Sequence, residues 1–392
     1  MKKTYIISAV RTPLGSFGGM LAGFSAIDLG AFAMKGALDK AGVKADQVKE
    51  VFFGNVVQAN LGQAPARQAA LAAGIPNTVP CTTVNKVCSS GMKAIMFGAQ
   101  SIQLGHTDIV IAGGMESMSN TPFYVPNARW GYKYGNGQLI DGLEKDGLLD
   151  AYGKQAMGIF ADKTAEVHGI SREEQDAFAI SSYKKSAAAT ESGAFKNEII
   201  PIEIPQRRKD PILMLEDEEF RRVKFEKIPA LRAAFTKDGT VTAANSSTIN
   251  DGASALVLAS EEAVEKYKLT PIAELLSYGD AAHEPEWFTT APAKAAPLAL
   301  ERVGLSLADV DLFEVNEAFS VVTLAFNKLL GIDEAKVNVN GGAVSLGHPL
   351  GASGARIVTT LIHGLHGNQK KIGCATLCNG GGGASALVVK AL

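Results

Sequence analysis

One helix-and-strand unit is written twice in this chain, and no other feature restricts the fold as much. Residues 37–48 read ALDKAGVKADQV and residues 299–310 read ALERVGLSLADV. Both run Ala-Leu, acid, base, apolar residue, Gly, apolar residue, and both end on Val. The pattern predicts a short amphipathic helix stopped by Gly42 in one copy and Gly304 in the other, because glycine takes the C-terminal cap conformation without a Cβ clash. Each helix leads into an apolar run, Val51-Phe52-Phe53 or Leu312-Phe313-Glu314-Val315, that reads as a buried strand. A repeated helix-to-strand order implies an α/β fold made of two duplicated halves.

At 392 residues and 46% hydrophobic content, the chain exceeds what one small core organises. From Ser119 to about Asn250 its texture changes. Pro122, Pro126, Gly131, Gly135 and Gly137 open a loop-rich stretch, residues 172–191 read as a helix, and a charged run extends from Glu216 to Lys227. Residues 251–258 (DGASALVL) return to strand texture. We therefore expect a first half at 1–118 completed by 251–270, an inserted loop domain at 119–250, and a second half at 271–392. A net charge of −2 with no arginine cluster argues against a nucleic-acid partner. No apolar run is long enough to span a bilayer, and the apolar part of residues 1–9 is too short for a signal peptide and reads as a strand. Four cysteines do not make a disulfide framework in a chain this long, and no Cys-x-x-Cys pair or zinc-spaced His/Cys cluster occurs. A reducing, cytoplasmic location is expected.

Two of the cysteines lie beside runs of small residues. Cys88 is followed by apolar residues at helical spacing (Met92, Ile95, Met96, Ala99, Ile102), which places it at or just before a helix N-terminus. Unpaired N–H groups and the helix dipole there favour a thiolate, the nucleophilic form. Cys81 and Cys374 lack this context and read as buried structural residues. His348 stands in NVNGGAVSLGHPLGASGAR (338–356), followed by the little-bulk run 351–355 that a helix start passing close to another backbone requires. An imidazole opposite Cys88 can take the thiol proton. Cys378 precedes Asn379 and four glycines whose spacing does not match a dinucleotide loop. A second thiol there can act as acid and base at carbon, and Gly380 can offer a bare N–H to an oxyanion. Asn316 is either a helix cap before Glu317-Ala318-Phe319 or, having no titrating group, the holder of a water or an oxyanion. Two thiols, an imidazole and a carboxamide suit acyl transfer through a thioester.

Together, Ser8-Ala9-Val10-Arg11-Thr12-Pro13, Asn85-Lys86-Val87-Cys88, Gly113 to Ser119 (GGMESMS), Asn316-Glu317-Ala318-Phe319, Gly347-His348-Pro349-Leu350-Gly351 and Cys378-Asn379-Gly380-Gly381-Gly382 resemble the thiolase family in order and spacing over essentially the whole chain. Within that family, Thr242-Ala243-Ala244-Asn245 and Gly341 to Gly347 are similar to the type that makes acetoacetyl-CoA. The resemblance implies two halves in a five-layer αβαβα arrangement with a loop domain between them. It also implies a homotetramer whose contacts use the Pro/Gly-rich stretch after Ser119. The implied reaction is the reversible Claisen condensation of two acetyl-CoA to acetoacetyl-CoA and CoA. Cys88 carries the acetyl group, His348 activates it, and Cys378 moves the α-proton. Asn316 holds a water beside His348, and the N–H groups of Cys88 and Gly380 form the second oxyanion site.

By the same resemblance, Arg222 and Lys227 meet the nucleotide end of CoA and Ser247 the pantetheine. Leu148, Met157, Phe235, Ala243, Ala318 and Phe319 line the tunnel. No tightly bound cofactor is implied; coenzyme A is substrate and product. Potassium-stimulated members use a tyrosine hydroxyl and backbone carbonyls, matched here by Tyr183, Ala243, Ala244, Ser246 and Val344, although the pattern carries alanine where this chain has Ser246. A further departure is Ala156, where many acetoacetyl-CoA thiolases have histidine. It widens the expected acyl range and keeps a degradative thiolase for longer chains as the alternative. A fatty-acid condensing enzyme would lack Cys378, and a non-catalytic binding protein would have lost one of the four reacting residues.

Overall fold

The computed structural model describes residues 2–392. Its main sheet uses β1 Thr4–Arg11, β2 Glu50–Gly54, β3 Cys81–Val84, β4 Ile109–Ser117, β5 Asn250–Ser260, β6 Ala273–Ala282, β7 Leu312–Val315, β8 Ile372–Asn379 and β9 Gly383–Ala391. They lie in the order β7-β8-β9-β6-β1-β5-β4-β2-β3. The two ends of this order have one topology. β1 pairs with β5 as β6 pairs with β9, antiparallel; β5 with β4 as β9 with β8, antiparallel; and β4 with β2 as β8 with β7, parallel. The halves join through a short antiparallel contact between Thr4–Ile6 of β1 and Ala273–Leu275 of β6.

The helices are α1 Ala26–Ala41, α2 Pro65–Ala72, α3 Ser90–Gln103, α4 Met157–His168, α5 Arg172–Glu191, α6 Pro292–Glu301, α7 Ser320–Leu330 and α8 Leu350–Gly367; α4 and α5 pack on α7 and the others lie against the sheet. Apolar side chains of α1 and α2 pack on the outer face of the first half. Those of α6 and α7 do the same on the second half. Between the halves, Met92, Ile95 and Ala99 of α3 and Ile357, Val358 and Leu361 of α8 bury against both halves of the sheet at once. The result is the expected α-β-α-β-α layering. Strands β4 and β5 are buried along their whole length because helices cover both faces. Burying one such Ile or Leu stabilises the fold by roughly 1.5–3 kcal/mol.

The sequence repeat survives as repeated hydrogen bonds. At the end of α1, Gly42 N–H donates to Asp39 O (3.3 Å) and Val43 N–H to Leu38 O (3.1 Å). After α6, Gly304 N–H donates to Glu301 O and Leu305 N–H to Leu300 O, both at 3.1 Å. Gly42 and Gly304 have φ of 64° and 69°. The second helix proper ends at Glu301, so Gly304 closes a looser last turn than Gly42 does.

The stretch from 119 to 249 is tied to the sheet by buried charge. Arg11 at the end of β1 bonds Glu198 and Asp217, each at 2.6 Å, with all three side chains fully buried. Helix α5 spans the residues its sequence predicts and starts with a Ser171–Glu174 capping box. Among the described residues, no helix is long and apolar enough to cross a membrane.

Candidate active site

The site forms where α3 and α8 cross. A Cβ added to Gly91 would lie 2.9 Å from both Ala355 N and Gly351 O, and one added to Gly354 would lie 2.4 Å from Met92 N. Bare backbone therefore lets the two helix starts touch, as the small residues at 351–355 predict. Cys88 lies two residues before α3 and His348 two residues before α8. They occupy matching places in the two halves, and the crossing brings them together.

Cys88 sits on a tight turn. Val87 has φ +49°, a conformation that costs a β-branched residue about 1–3 kcal/mol. Asn85 Oδ1 accepts from Val87 N–H at 3.0 Å, and Ser90 Oγ donates to Val87 O at 2.6 Å. The backbone N–H groups of Gly380 and of Cys88 itself are near enough to the Cys88 sulfur to pull its pKa down. Ser89 Oγ donates to Asn379 Oδ1 (3.0 Å), fastening the turn to the end of β8, which carries Cys378.

His348 is buried and held at both ends. Its backbone N–H donates to Asn250 Oδ1 (3.0 Å), and Nδ1 lies 2.6 Å from Ser353 Oγ. The Ser353 hydroxyl proton goes to Pro349 O (2.8 Å), so Ser353 accepts from Nδ1–H and Nε2 keeps its lone pair. Asn316 Nδ2 lies 3.5 Å from that Nε2, a long contact. Asn316 is fully buried and caps no helix, since α7 begins at Ser320 with Phe319 as its cap residue. Its Oδ1 accepts no protein hydrogen bond among the described residues.

The resting site is neutral. Burial pushes the Cys88 thiol up to about 12, against the pull of the Gly380 and Cys88 N–H groups, and Glu116 adds to the rise. Burial also pushes Cys378 well above the usual thiol range, and repulsion from Cys88 beside it raises it further. His348 is brought down to about 3 by burial and then by the Arg356 charge. The helix-terminus argument favours a thiolate at Cys88; desolvation outweighs it here, because the turn is packed against both halves. The arrangement holds a neutral thiol and a neutral base until a substrate changes the balance.

The remaining expected residues fall into two groups. Met157, Ala318, Phe319 and Cys378 share one apolar cluster, while Leu148 and Cys88 pack on a neighbouring one with Leu350. Phe235 meets Phe319 edge-on at 6.0 Å. Ser247 N–H donates to Ala318 O (3.0 Å), so the 245–247 loop runs along the start of α7. Ala156 caps α4 beside Met157 through its backbone alone. The second group is separate: Arg222, Lys227, Tyr183, Ala243 and Ala244 line one surface pocket with Ile228 and Leu231. Val344 packs on Tyr183. The Ser246 hydroxyl donates to Thr242 O (2.7 Å), which leaves its carbonyl as the free donor oxygen.

Sequence reasoning passed over Ser353, Asn250 and Glu116. Glu116 is fully buried and accepts from Asn55 Nδ2 (2.7 Å), Val56 N (3.1 Å), Val57 N (3.2 Å) and Gly351 N (2.8 Å). Burial raises it to about 7 in spite of these donors. A single acid closing the apolar run 109–115 was its sequence signal. Ser353 had none, being one small residue in a small-residue run.

Comparison with known proteins agrees with this geometry. The description "Thiolase, N-terminal domain" matches residues 4–262 and "Thiolase, C-terminal domain" residues 269–391. A cytosolic acetyl-CoA acetyltransferase of Gibberella zeae is 54% identical over 389 residues, covering 99% of this chain and 98% of that one. The human mitochondrial acetyl-CoA acetyltransferase is 53% identical over 393 residues, covering 100% and 91%. The crystal structure of a thiolase from Ascaris suum in complex with coenzyme A superposes with a TM-score of 0.95 at 51% identity, covering all of both chains. Fold and site together define an acyltransferase built from two duplicated α/β halves. The chain belongs to the thiolase family.

Proposed function

We propose that the protein catalyses the reversible condensation of two acetyl-CoA to acetoacetyl-CoA and CoA. The observation that carries the reading is one site in which a Ser89–Asn379 hydrogen bond (3.0 Å) fastens the half-buried Cys88 turn to the end of β8 that carries buried Cys378, with His348 presenting a free Nε2. The similarity to acetyl-CoA acetyltransferases and to a CoA-bound thiolase supports the substrate class.

In this reading, Nε2 of His348 takes the Cys88 proton and the sulfur attacks the thioester carbonyl. The C–S bond to CoA breaks, and the leaving sulfur takes a proton from Cys378. Acetylation leaves no ionisable thiol at position 88, so ionising Cys378 no longer sets two thiolates side by side. Cys378 then takes the α-proton of a second acetyl-CoA, the carbanion attacks the acetyl carbon, and His348 returns its proton to Cys88. The N–H groups of Cys88 and Gly380 hold the acetyl oxygen, and His348 with a water on Asn316 holds the other thioester oxygen. Arg222 and Lys227 take the phosphates of CoA, and Ser247 takes the pantetheine. Leu148, Met157, Phe235, Ala318 and Phe319 shape the acyl tunnel, with Ala243 at its outer wall.

The Tyr183 pocket suits a potassium ion. Burial and then the Glu219 and Glu317 carboxylates push the Tyr183 phenol up to about 12, and those two carboxylates are the charges that would attract a cation there. Tyr183 with the carbonyls of Ala243, Ala244, Ser246 and Val344 would hold it; the ion would order the loops around the CoA pocket. The domain boundaries expected above serve this scheme, the segment 119–250 supplying CoA contacts. Exposed Trp130, Tyr132 and Tyr134 support its use as the contact surface of a homotetramer. All four cysteines are free, which supports a reducing cytoplasmic setting.

Mass spectrometry of enzyme trapped with acetyl-CoA tests the covalent step. Acetyl is expected on Cys88 and absent from Cys88→Ala. Cys378→Ala should still be acetylated while condensation falls roughly 10²–10⁴-fold. A label on Cys378 alone reverses the roles. In thiolysis, acetoacetyl-CoA should give the highest kcat/KM, 2-methylacetoacetyl-CoA should be used measurably because Ala156 is small, and 3-ketooctanoyl-CoA should be poor. Efficiency that rises with chain length moves the protein to the degradative class.

A further inference from the structure

We infer that Lys86 is a positioning residue for the thiol: its ammonium clamps the strained Val87–Cys88 turn of the first half onto strands β6 and β9 of the second. The inference rests on the acyl-transfer reading above and adds a residue to it.

The geometry is a closed triangle. Lys86 Nζ donates to Asp280 Oδ1 (2.5 Å) on β6 and to Ser385 Oγ (2.8 Å) on β9, and it lies 3.3 Å from Ala384 O. Ser385 Oγ in turn donates to the same Asp280 oxygen (2.6 Å), so its lone pair faces Lys86. The other Asp280 oxygen takes Lys93 of α3 at 2.6 Å. Lys86 also sits inside the turn it clamps: its N–H donates to Ser90 Oγ (2.8 Å), and its carbonyl accepts Ser89 N–H (3.1 Å).

Position explains why this matters. The nucleophile comes from the first half, but Cys378 and the Gly380 N–H near the nucleophile come from the second. Nothing within the turn alone sets the turn's register against them. Val87 at φ +49° is a conformation the backbone leaves when released. Two ties made by the turn itself cross the gap, Lys86 to Asp280 and Ser385, and Ser89 to Asn379, while Lys93 in the first turn of α3 reaches Asp280 as well. Of these only the Lys86 tie precedes the strained residue, so the two together grip the turn from both sides.

A lysine–aspartate pair with side chains 27% and 35% exposed adds little to global stability, so its loss should show in turnover instead. In Lys86→Met, Asp280 keeps Lys93 and Ser385, so no charge is stranded. We expect kcat for acetoacetyl-CoA thiolysis and the rate of Cys88 acetylation to fall together by about 10–100-fold, the scale of a misplacement near 1 Å. KM for acetoacetyl-CoA should stay within about threefold, and the melting temperature within a few degrees. Lys86→Arg, which can still bridge Asp280 and Ser385, should recover most of the loss. Crystal structures supply an arm independent of substrate: in Lys86→Met the 85–88 turn should rearrange and Val87 should leave the left-handed region. An unchanged turn, unchanged kcat, or a loss of kcat with a matching rise in KM and a large drop in melting temperature would overturn the inference. Wild-type enzyme without thiolysis activity would instead sink the functional reading, and the crystallographic arm would still judge the clamp.

Discussion

His348 can serve as a base because burial keeps it neutral, and Ser353 decides which nitrogen is free. With the imidazole held near 3 and the thiol near 12, neither titrates in the ordinary range. In Glu116→Gln, which removes the neighbouring carboxyl raised to about 7, the rate of Cys88 acetylation by acetyl-CoA should therefore be flat from about pH 5 to 9, with no acid limb at the free-histidine value near 6.5. Rapid-quench measurement across that range checks this, and a limb near 6.5 would mean the imidazole is more hydrated than the packing indicates. The same depression has a stability consequence. Below about 6.5 the unfolded chain binds a proton at this histidine that the folded one refuses until about 3, so the contribution of His348 to stability is lost as pH falls through that window. Ser353→Ala removes the partner of Nδ1–H and leaves both tautomers open. Acetylation should slow by roughly 10–100-fold, as for other second-layer histidine partners, with KM little changed.

The helix crossing is the element that turns a duplicated fold into a site. Gly354→Ala would put a methyl group 2.4 Å from Met92 N, against backbone that cannot swing away. We expect a loss of at least about 1–3 kcal/mol in urea denaturation, together with loss of turnover as Cys88 and His348 separate. Gly364 is the control: it lies in the same helix, and a Cβ there meets nothing closer than 3.9 Å. Gly364→Ala should be neutral or stabilising by roughly 0.5–1 kcal/mol, since alanine loses less backbone entropy on folding. Equal effects at the two positions would refute the contact argument.

At the scale of the molecule, Arg11 decides how the inserted stretch sits. It is the charged hub between β1 and residues 198 and 217, with no exposed surface on any of the three side chains. Arg11→Met leaves two buried carboxylates without their cation, and a broken buried pair costs about 3–5 kcal/mol. Urea denaturation should show that loss. Limited proteolysis should find new cleavage around residues 195–220. A variant as stable as wild type would show that Glu198 and Asp217 are satisfied without Arg11. The exposed aromatics at 130–134 make an association prediction of their own. Light scattering should give a tetramer mass, and Trp130→Glu with Tyr134→Glu should lower it.

What the sequence determined by itself is local or periodic. The duplicated unit was readable because a C-terminal cap needs a glycine within a few residues, and both copies make matching hydrogen bonds. Helix α5 was readable from the run of residues 172–191, and the close approach at 351–355 from the absence of bulk. The tertiary structure decided the rest. Asn316 could have been a cap, and it turned out buried beside His348 because the chain turns at Asn316–Ala318 and enters its helix only at Ser320. The tautomer of His348 depends on a serine one helical turn away that already gives its own proton to Pro349. The charge state of Cys88 reversed, since a dipole argument counts only the adjacent helix whereas desolvation counts everything packed around the sulfur. Lys86 finds its carboxylate 194 residues further on. Caps, periods and steric bulk act over a few residues and can be read in one dimension; protonation and register are set by groups that only the folded chain brings together.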